Sequence, residues 1–320
     1  MICLYKIKKM SSKISIVSTC YNEKDNIEEC YLQIKNLFDK SQYSYEHIFV
    51  DNNSTDGTQE ILEKICSKDR NIKAIFNFKN YGPFLSNFNA LKYTNGDFVI
   101  INYAADMQDP IGVVQELIDE IQKGYDVVYA VKTDTEENFI IKNIRRLFYY
   151  LLNFSSKTYY PENVNEFMCV KNEVVNMVIQ NNDYFPYLRG YFSRITDNFS
   201  KVNFKRKKRA KGTSKNSFFD LYTQGINGLI STIDKPIRMI TFASFLAGLL
   251  SLLMLVYTIL AKIFFPWSAP EGIASISVIL LFFFCIIISL LSLILEYLIA
   301  IHNQVRFNNK VIVNKKINFD

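Results

Sequence analysis

Two stretches of the chain carry no charge for longer than a soluble helix tolerates. Between Arg238 and Lys262 lie 23 uncharged residues, and between Glu271 and Glu296 lie 24. About 20 apolar residues span the hydrocarbon core of a bilayer as a helix. A core helix of a soluble domain normally keeps a polar stripe along one face. Both segments therefore read as transmembrane helices. The loop between them, 262–272, carries only Lys262 and Glu271, whereas the segment after Tyr297 carries Arg306, Lys310, Lys315 and Lys316. Positive charge beside a span marks the cytoplasmic side. No secretory signal precedes the polar part of the chain, because the apolar run Ile14–Thr19 is too short for a signal core. The expected order is a cytoplasmic domain over 1–216, an interfacial helix over 217–235, a two-helix transmembrane hairpin over 236–300 and a basic cytoplasmic tail over 301–320.

The polar region alternates β-rich runs with helical stripes. The runs 14–19, 47–51, 72–78, 98–104 and 126–131 read as strands. Between them Ile27, Tyr31, Ile34 and Phe38 recur at helical spacing. So do Ile61, Leu62 and Ile65 behind a Ser54 or Thr55 cap, and Val114, Leu117, Ile118 and Ile121. Pro83 opens a helix with Phe84, Phe88 and Leu91 on one face, since proline suits the first helical turn. Such alternation predicts an α/β, Rossmann-like domain with a mostly parallel sheet. Ligands of such sheets bind beyond the carboxyl ends of the strands.

Three polar motifs fall at those ends: Tyr21-Asn22-Glu23 after the first strand, Val50–Thr58 (VDNNSTDGT) after the second, and Tyr103–Pro110 (YAADMQDP) after the fourth. An isolated Asp at a strand end is as readily a turn former as a ligand; three polar motifs at one edge of one sheet are a more specific signal. Other chemistries have little to work with. The six cysteines form no C-x-x-C pair, there are two histidines, and neither G-x-G-x-x-G nor G-x-x-x-x-G-K occurs.

A basic run precedes the first uncharged stretch. Residues 198–219 contain no acid, and 201–215 hold Lys201, Lys205, Arg206, Lys207, Lys208, Arg209, Lys211 and Lys215. Arg and Lys clamp phosphates through charge-assisted hydrogen bonds, and a polybasic patch also binds anionic lipid. A nucleic-acid surface is disfavoured because the run abuts a membrane segment. Phe218, Leu221, Tyr222, Ile226, Leu229 and Ile233 then form the apolar face of the interfacial helix.

Across residues 13–300 the motifs resemble those of family 2 glycosyltransferases with the nucleotide-binding A-type fold, within the polyprenyl-phosphate group. The resemblance implies a nucleotide-sugar donor, a polyprenyl phosphate acceptor at the membrane, and Mg²⁺ or Mn²⁺ as cofactor. It implies donor contacts at Thr19, Tyr21, Glu23, Asp51, Asn53 and Asp106. Asp106 and Gln108 become the metal ligands, both offering oxygen to a hard cation. Relatives carry R-x-x-R-x-x-G-x-S-K before the membrane, which stands here as Arg206 to Lys215. Arg206, Arg209, Ser214 and Lys215 are thereby implied at the lipid phosphate. Relatives place a proposed base in D-F-R-L; this chain has Glu166-Phe167-Met168-Cys169, which implies Glu166 in that role.

The pattern departs elsewhere too: Ala104 replaces the first Asp of D-x-D, and Thr19 stands where relatives have Pro. The implied reaction is in-line, inverting attack of the lipid phosphate on the anomeric carbon. Two other readings stand beside it: extension of a glycan already on a lipid, and an inactive scaffold of the same fold. The motifs leave open the sugar, the nucleobase and whether the chain forms a homo-oligomer.

Overall fold

The computed structural model describes residues 12–133, 159–161, 164–180, 188–205, 273–306 and 311–319, with single positions between 143 and 153 and at 253, 260, 263 and 264. One mixed sheet of eight strands organises the polar region. Its strands are β1 (Lys13–Cys20), β2 (Ser44–Asp51), β3 (Ile72–Asn77), β4 (Phe98–Ile101), β5 (Val127–Lys132), β6 (Val164–Lys171), β7 (Phe199–Phe204) and β8 (Val313–Ile317). They lie in the order β7-β5-β6-β4-β1-β2-β3-β8. β1 pairs in parallel with β2 and with β4, β2 with β3, and β5 with β7. β6 runs antiparallel between β4 and β5, and β8 antiparallel along β3.

The helices cover both faces. α1 (Lys24–Phe38), α2 (Thr58–Lys68) and α4 (Ile111–Ile121) bury Ile27, Cys30, Ile34, Leu62, Val114, Leu117 and Ile118 against Ile14, Ile16, Phe49 and Phe167 on one face. α3 (Gly82–Leu91), α5 (Asn172–Gln180) and α6 (Leu188–Ile195) bury Phe88, Val175, Val178 and Phe192 against Val17, Ile48, Ile101 and Met168 on the other. Strands buried on both faces read as continuous apolar runs, and β1, β2, β3 and β5 fall on such runs.

Several local expectations need correction. The α2 cap is neither Ser54 nor Thr55. The helix starts at Thr58 behind Gly57 (φ +101°), and Asp56 accepts hydrogen bonds from the Thr58 amide (3.0 Å) and hydroxyl (2.6 Å). β4 stops at Ile101 because Asn102 turns left-handed (φ +57°). Residues 313–317, read as part of a basic tail, form the edge strand β8. The hairpin is not supported here. Its first span lies outside the described residues except for single positions, and its second falls within α7 (Ile273–Arg306), a helix of 34 residues many of whose side chains are undescribed. Over the described residues, no helix is long and apolar enough to cross a membrane. The interfacial helix over 217–235 also lies outside the described residues.

The amino-terminal edge of the sheet is closed by a buried ion cluster. Glu46, 1% exposed, accepts from Ser15 Oγ (2.6 Å) and the Asn95 amide (2.7 Å) and pairs with Lys13 Nζ and Lys73 Nζ (3.0 Å each). The neighbouring Gly96 packs so closely on β1 that a Cβ there would meet the Ser15 nitrogen at 2.6 Å. His47, next along β2, is a core residue: its Nε2 meets Ser18 Oγ at 2.8 Å, and burial pushes its pKa down to about 3.

Burial alone would raise the Glu46 pKa, but the bonds from Ser15, Asn95, Lys13 and Lys73 outweigh it and hold the carboxyl below its usual range. A depressed folded-state pKa contributes stability that is present above the unfolded-state value, about 4.3, and is lost as pH falls through the folded value. Glu46→Gln should therefore cost about 3 kcal/mol at pH 7. Denaturant melts at pH 7 and at a series of values below pH 4 should show the wild-type protein losing stability with acid more steeply than the variant. Parallel pH dependences would refute this role for Glu46.

Candidate functional site

The strand order reverses between β1 and β4. From β1 the chain winds outward through β2 to β3, then α3 returns it to β4 on the other side of β1. The loops after β1 and β4 therefore diverge, and a crevice opens between them at the carboxyl edge. Both carry motifs singled out above, and the loop after β2 lies alongside.

Hydrogen bonds stitch the first two loops into one unit. The Asn22 amide donates to Ser54 Oγ (2.8 Å), and the Thr55 amide donates to Asn22 Oδ1 (2.9 Å). The Glu23 amide donates to Thr58 Oγ1 (3.1 Å) and the Lys24 amide to Asp56 Oδ2 (3.1 Å). Ser54, Thr55, Asp56 and Thr58 are thus the scaffold of the site. Thr19, Tyr21 and Glu23 remain partly exposed, and Asn53 is exposed. Asp51 is completely buried, and its Oδ2 accepts from the Ser54 amide (3.0 Å) and from Gln59 Nε2 (2.6 Å).

The loop after β4 is fixed from beneath. Tyr103 extends the pairing with β1 through its amide to the Val17 carbonyl (3.0 Å), and its buried ring sends the hydroxyl to Gln33 Oε1 (3.1 Å). A turn then closes from the Met107 amide to the Ala104 carbonyl (3.1 Å). The Asp106 carboxylate accepts from the Gln108 amide (3.2 Å), leaving Asp106 7% and Asp109 1% exposed.

Backbone strain concentrates here. Asn22, Asn53, Asn102 and Met107 all have φ between +54° and +61°, and all lie in these loops. Asn tolerates this conformation; Met does not do so readily. Such residues persist only where their surroundings over-determine them, and they cluster at binding sites.

Glu166 reaches the same edge by a different route. β6 runs against β4 with Met168 opposite Ile101, so Glu166, two residues earlier, lies past the carboxyl end of β4. It is 4% exposed, and desolvation raises its pKa to about 7. The positive charge of Arg189 on α6, and more weakly the Asn87 amide on α3, act in the opposite direction.

Arg189 and Asn87 were not evident from sequence. Nor was a buried network in which Asn77 Nδ2 donates to Asn52 Oδ1 (3.0 Å) and Ser86 Oγ (3.2 Å), while the Ser86 hydroxyl donates to Asn52 Oδ1 (2.6 Å). This network ties the loop after β2 to α3. The one available signal was the polar content of α3, whose Ser86, Asn87 and Asn89 are buried beside Phe88.

Arg206, Arg209, Ser214 and Lys215 lie outside the described residues. Their point of departure does not. β7 is parallel to β5, and β5 runs in the same direction as β4, so the chain leaves β7 at Phe204 on the carboxyl edge of the sheet. Lys205 and the basic run follow directly.

A family model described as glycosyl transferase family 2 matches residues 15–196, from β1 to the loop after α6. The uncharacterized glycosyltransferase YkcC of Bacillus subtilis is 28% identical over 94% of this chain and 93% of its own length. The prophage-derived bactoprenol glucosyl transferase of Shigella flexneri is 26% identical over 95% of this chain and 98% of its own. Among solved structures, glucosyl-3-phosphoglycerate synthase of Mycobacterium tuberculosis, in complex with Mn²⁺, UDP-glucose and phosphoglyceric acid, matches 68% of this chain and 78% of that one. Its identity is 17% and its TM-score 0.47. The family match covers more than half of the chain and takes in each of the three strand-end loops: this protein belongs to glycosyl transferase family 2.

Proposed function

We propose that this glycosyltransferase moves a sugar from a nucleotide-sugar to a polyprenyl phosphate at the cytoplasmic face of a membrane. The observation that carries the reading is the exit of β7: the basic run starts at the edge of the sheet that holds Asp106 and Glu166. Dense positive charge is what a site needs when a lipid phosphate must lie beside a nucleotide diphosphate. Relatives spanning nearly the whole chain are named bactoprenol glucosyl transferases, which supports the same acceptor.

Donor contacts are proposed at Thr19, Tyr21, Glu23 and Asn53, with the fully buried Asp51 shaping their loop through Ser54 and Gln59; lipid-phosphate contacts are proposed at Arg206, Arg209, Ser214 and Lys215. No group of three or more His, Cys, Asp or Glu able to hold a metal occurs among the described residues. One carboxylate and one amide oxygen suit an ion such as Mg²⁺, which is held by one or two carboxylates plus substrate phosphates and water. Asp106 and Gln108 would hold Mg²⁺ or Mn²⁺ in that way. When bound, the ion offsets negative charge on the departing nucleoside diphosphate. In the reaction, a phosphate oxygen of the acceptor bonds to the anomeric carbon as the carbon–oxygen bond to the diphosphate breaks, with inversion.

Glu166 is proposed as the base. A carboxyl with a pKa near 7 is matched to take the last proton of an acceptor phosphate at neutral pH. The same property suits a hydroxyl acceptor, so extension of a lipid-linked glycan is the second reading. Attachment through a two-span hairpin is proposed on the uncharged runs 239–261 and 272–295. Along α7, Ile276, Leu280, Phe284, Ile287, Leu291 and Ile294 are exposed, as expected of a surface that lipid covers.

The test supplies labelled nucleotide-sugars, one at a time, to vesicles that hold the full chain and a polyprenyl phosphate. Label should enter the lipid fraction only with divalent metal, and Asp106→Ala should lower the rate at least about 100-fold. Transfer that persists in chelator would sink the metal role, and label that enters only a parallel set of vesicles supplied with a pre-formed lipid-linked glycan would select the second reading. With the acceptor settled, the wild-type rate should climb as pH rises through about 7. Glu166→Gln should remove that step and lower turnover about 100-fold. An unchanged pH profile in Glu166→Gln would refute the base assignment.

A further inference from the structure

The C-terminal segment does more than close the sheet. β8 pairs antiparallel with β3 over Ala74 to Asn77, and the ladder is extended by the Phe78 amide donating to the Ile312 carbonyl (3.0 Å). The Ile312 amide in turn donates to Tyr81 Oη (3.2 Å). Ile312 therefore holds both sides of the loop 78–82. That loop leaves β3 at the carboxyl edge, next to the loop after β2, and Asn77 at its base belongs to the network with Asn52 and Ser86. Within it Lys79 Nζ lies 5.1 Å from the centre of the Tyr81 ring.

The docking is anchored at its far end. Asn318, in the left-handed conformation (φ +63°), donates through Nδ2 to the carbonyls of Cys66 (2.8 Å), Asp69 (3.4 Å) and Ile72 (2.7 Å), closing the end of α2 onto β3. Lys315 pairs with Glu63 on α2 (2.8 Å). The Phe319 ring packs edge-on to Tyr93 with Lys73 Nζ 5.0 Å from its centre, and Lys316 Nζ lies 4.8 Å from the centre of Tyr93. A side chain whose two amide hydrogens go to the Cys66 and Ile72 carbonyls marks a docked segment rather than a solvated tail.

On the other side of this strand is the apolar helix. Five peptide steps separate Arg306, the last residue of α7, from Val311. That length of chain reaches at most about 18 Å. The end of the helix is thus held close to the β3 edge by covalent bonds alone.

From these contacts we infer that residues 312–318 are a positioning element of the transfer reaction, clamping the loop 78–82 at the site and tethering the apolar helix at a fixed distance from it. The tether half rests on the lipid-acceptor reading above; the clamp half does not. In this arrangement the sheet edge cannot move further from the helix end than the short link allows, so the distance of the site from the surface that holds the helix has an upper bound.

Two full-chain variants test the two halves. Asn318→Ala loosens the dock and should speed amide exchange over residues 78–82 at least tenfold while leaving β2 protected. Unchanged exchange there would overturn the clamp. An insertion of about a dozen Gly and Ser residues between Arg306 and Val311 leaves β8 docked but slackens the link. With radiolabelled UDP-glucose and vesicles containing undecaprenyl phosphate, it should lower transfer about tenfold without changing the melting temperature or the exchange at 78–82. Full transfer with the long link would overturn the tether. A wild-type protein that labels no lipid phosphate with any nucleotide-sugar defeats the acceptor reading and the tether with it, and the exchange measurement still decides the clamp.

Discussion

The parallel pairing of β4 with β1 is the constraint on which the site depends. The chain winds β1, β2, β3 in one direction and then brings β4 to the free side of β1, and the two strands that meet there send their loops apart. Everything polar that the site uses is placed relative to that seam. The loop with Tyr21 and Glu23 leaves β1, the loop with Asp106 leaves β4, and Glu166 arrives on β6 directly beyond β4. The seam is buried on both faces by Ile14, Ile16, Val17, Val99 and Ile100, all fully shielded from solvent. Slippage by one residue would exchange the two faces of β4 and is therefore strongly opposed.

The two edges of the sheet are built on opposite principles. At the amino-terminal edge, Glu46 is surrounded by two lysines, a hydroxyl and a backbone amide, so a buried charge is fully compensated. At the carboxyl edge the hydrogen bonds go to shaping loops, and the backbone holds left-handed residues in place. There a carboxyl is buried with less compensation, and its proton affinity rises to about 7. The first edge holds its carboxyl in one charge state and the second leaves its carboxyl able to change protonation near neutral pH, which is the property the proposed base requires.

The long-range contacts of the C-terminus bear on the same division. Val313–Ile317 covers the β3 edge, which would otherwise present unpaired amides and carbonyls. Its lysines stay exposed, but Lys316 lies over the Tyr93 ring and Lys315 pairs with Glu63, so charges that look like a solubilising tail also border the docked strand.

The sequence by itself determined the parallel half of the fold and the edge at which its polar motifs gather. β1, β2, β3 and β5 fall within a few residues of their apolar runs, and the motifs at Tyr21, Asp51 and Asp106 lie at one edge, because local apolar patterning and chain order suffice to specify βα units. β4 was drawn too long because its end is set by a left-handed Asn102, a conformation that apolar content does not report. Only the tertiary structure decided that β6 inserts antiparallel between β4 and β5, that β8 returns across more than two hundred residues to pair with β3, and that Asn52, Asn77 and Ser86 share one buried network. Those contacts join segments remote in the chain, and no periodicity within either partner records the other. The proton affinity of Glu166 belongs to the same class: a carboxylate is written in the sequence, but its desolvation is a property of what folds around it.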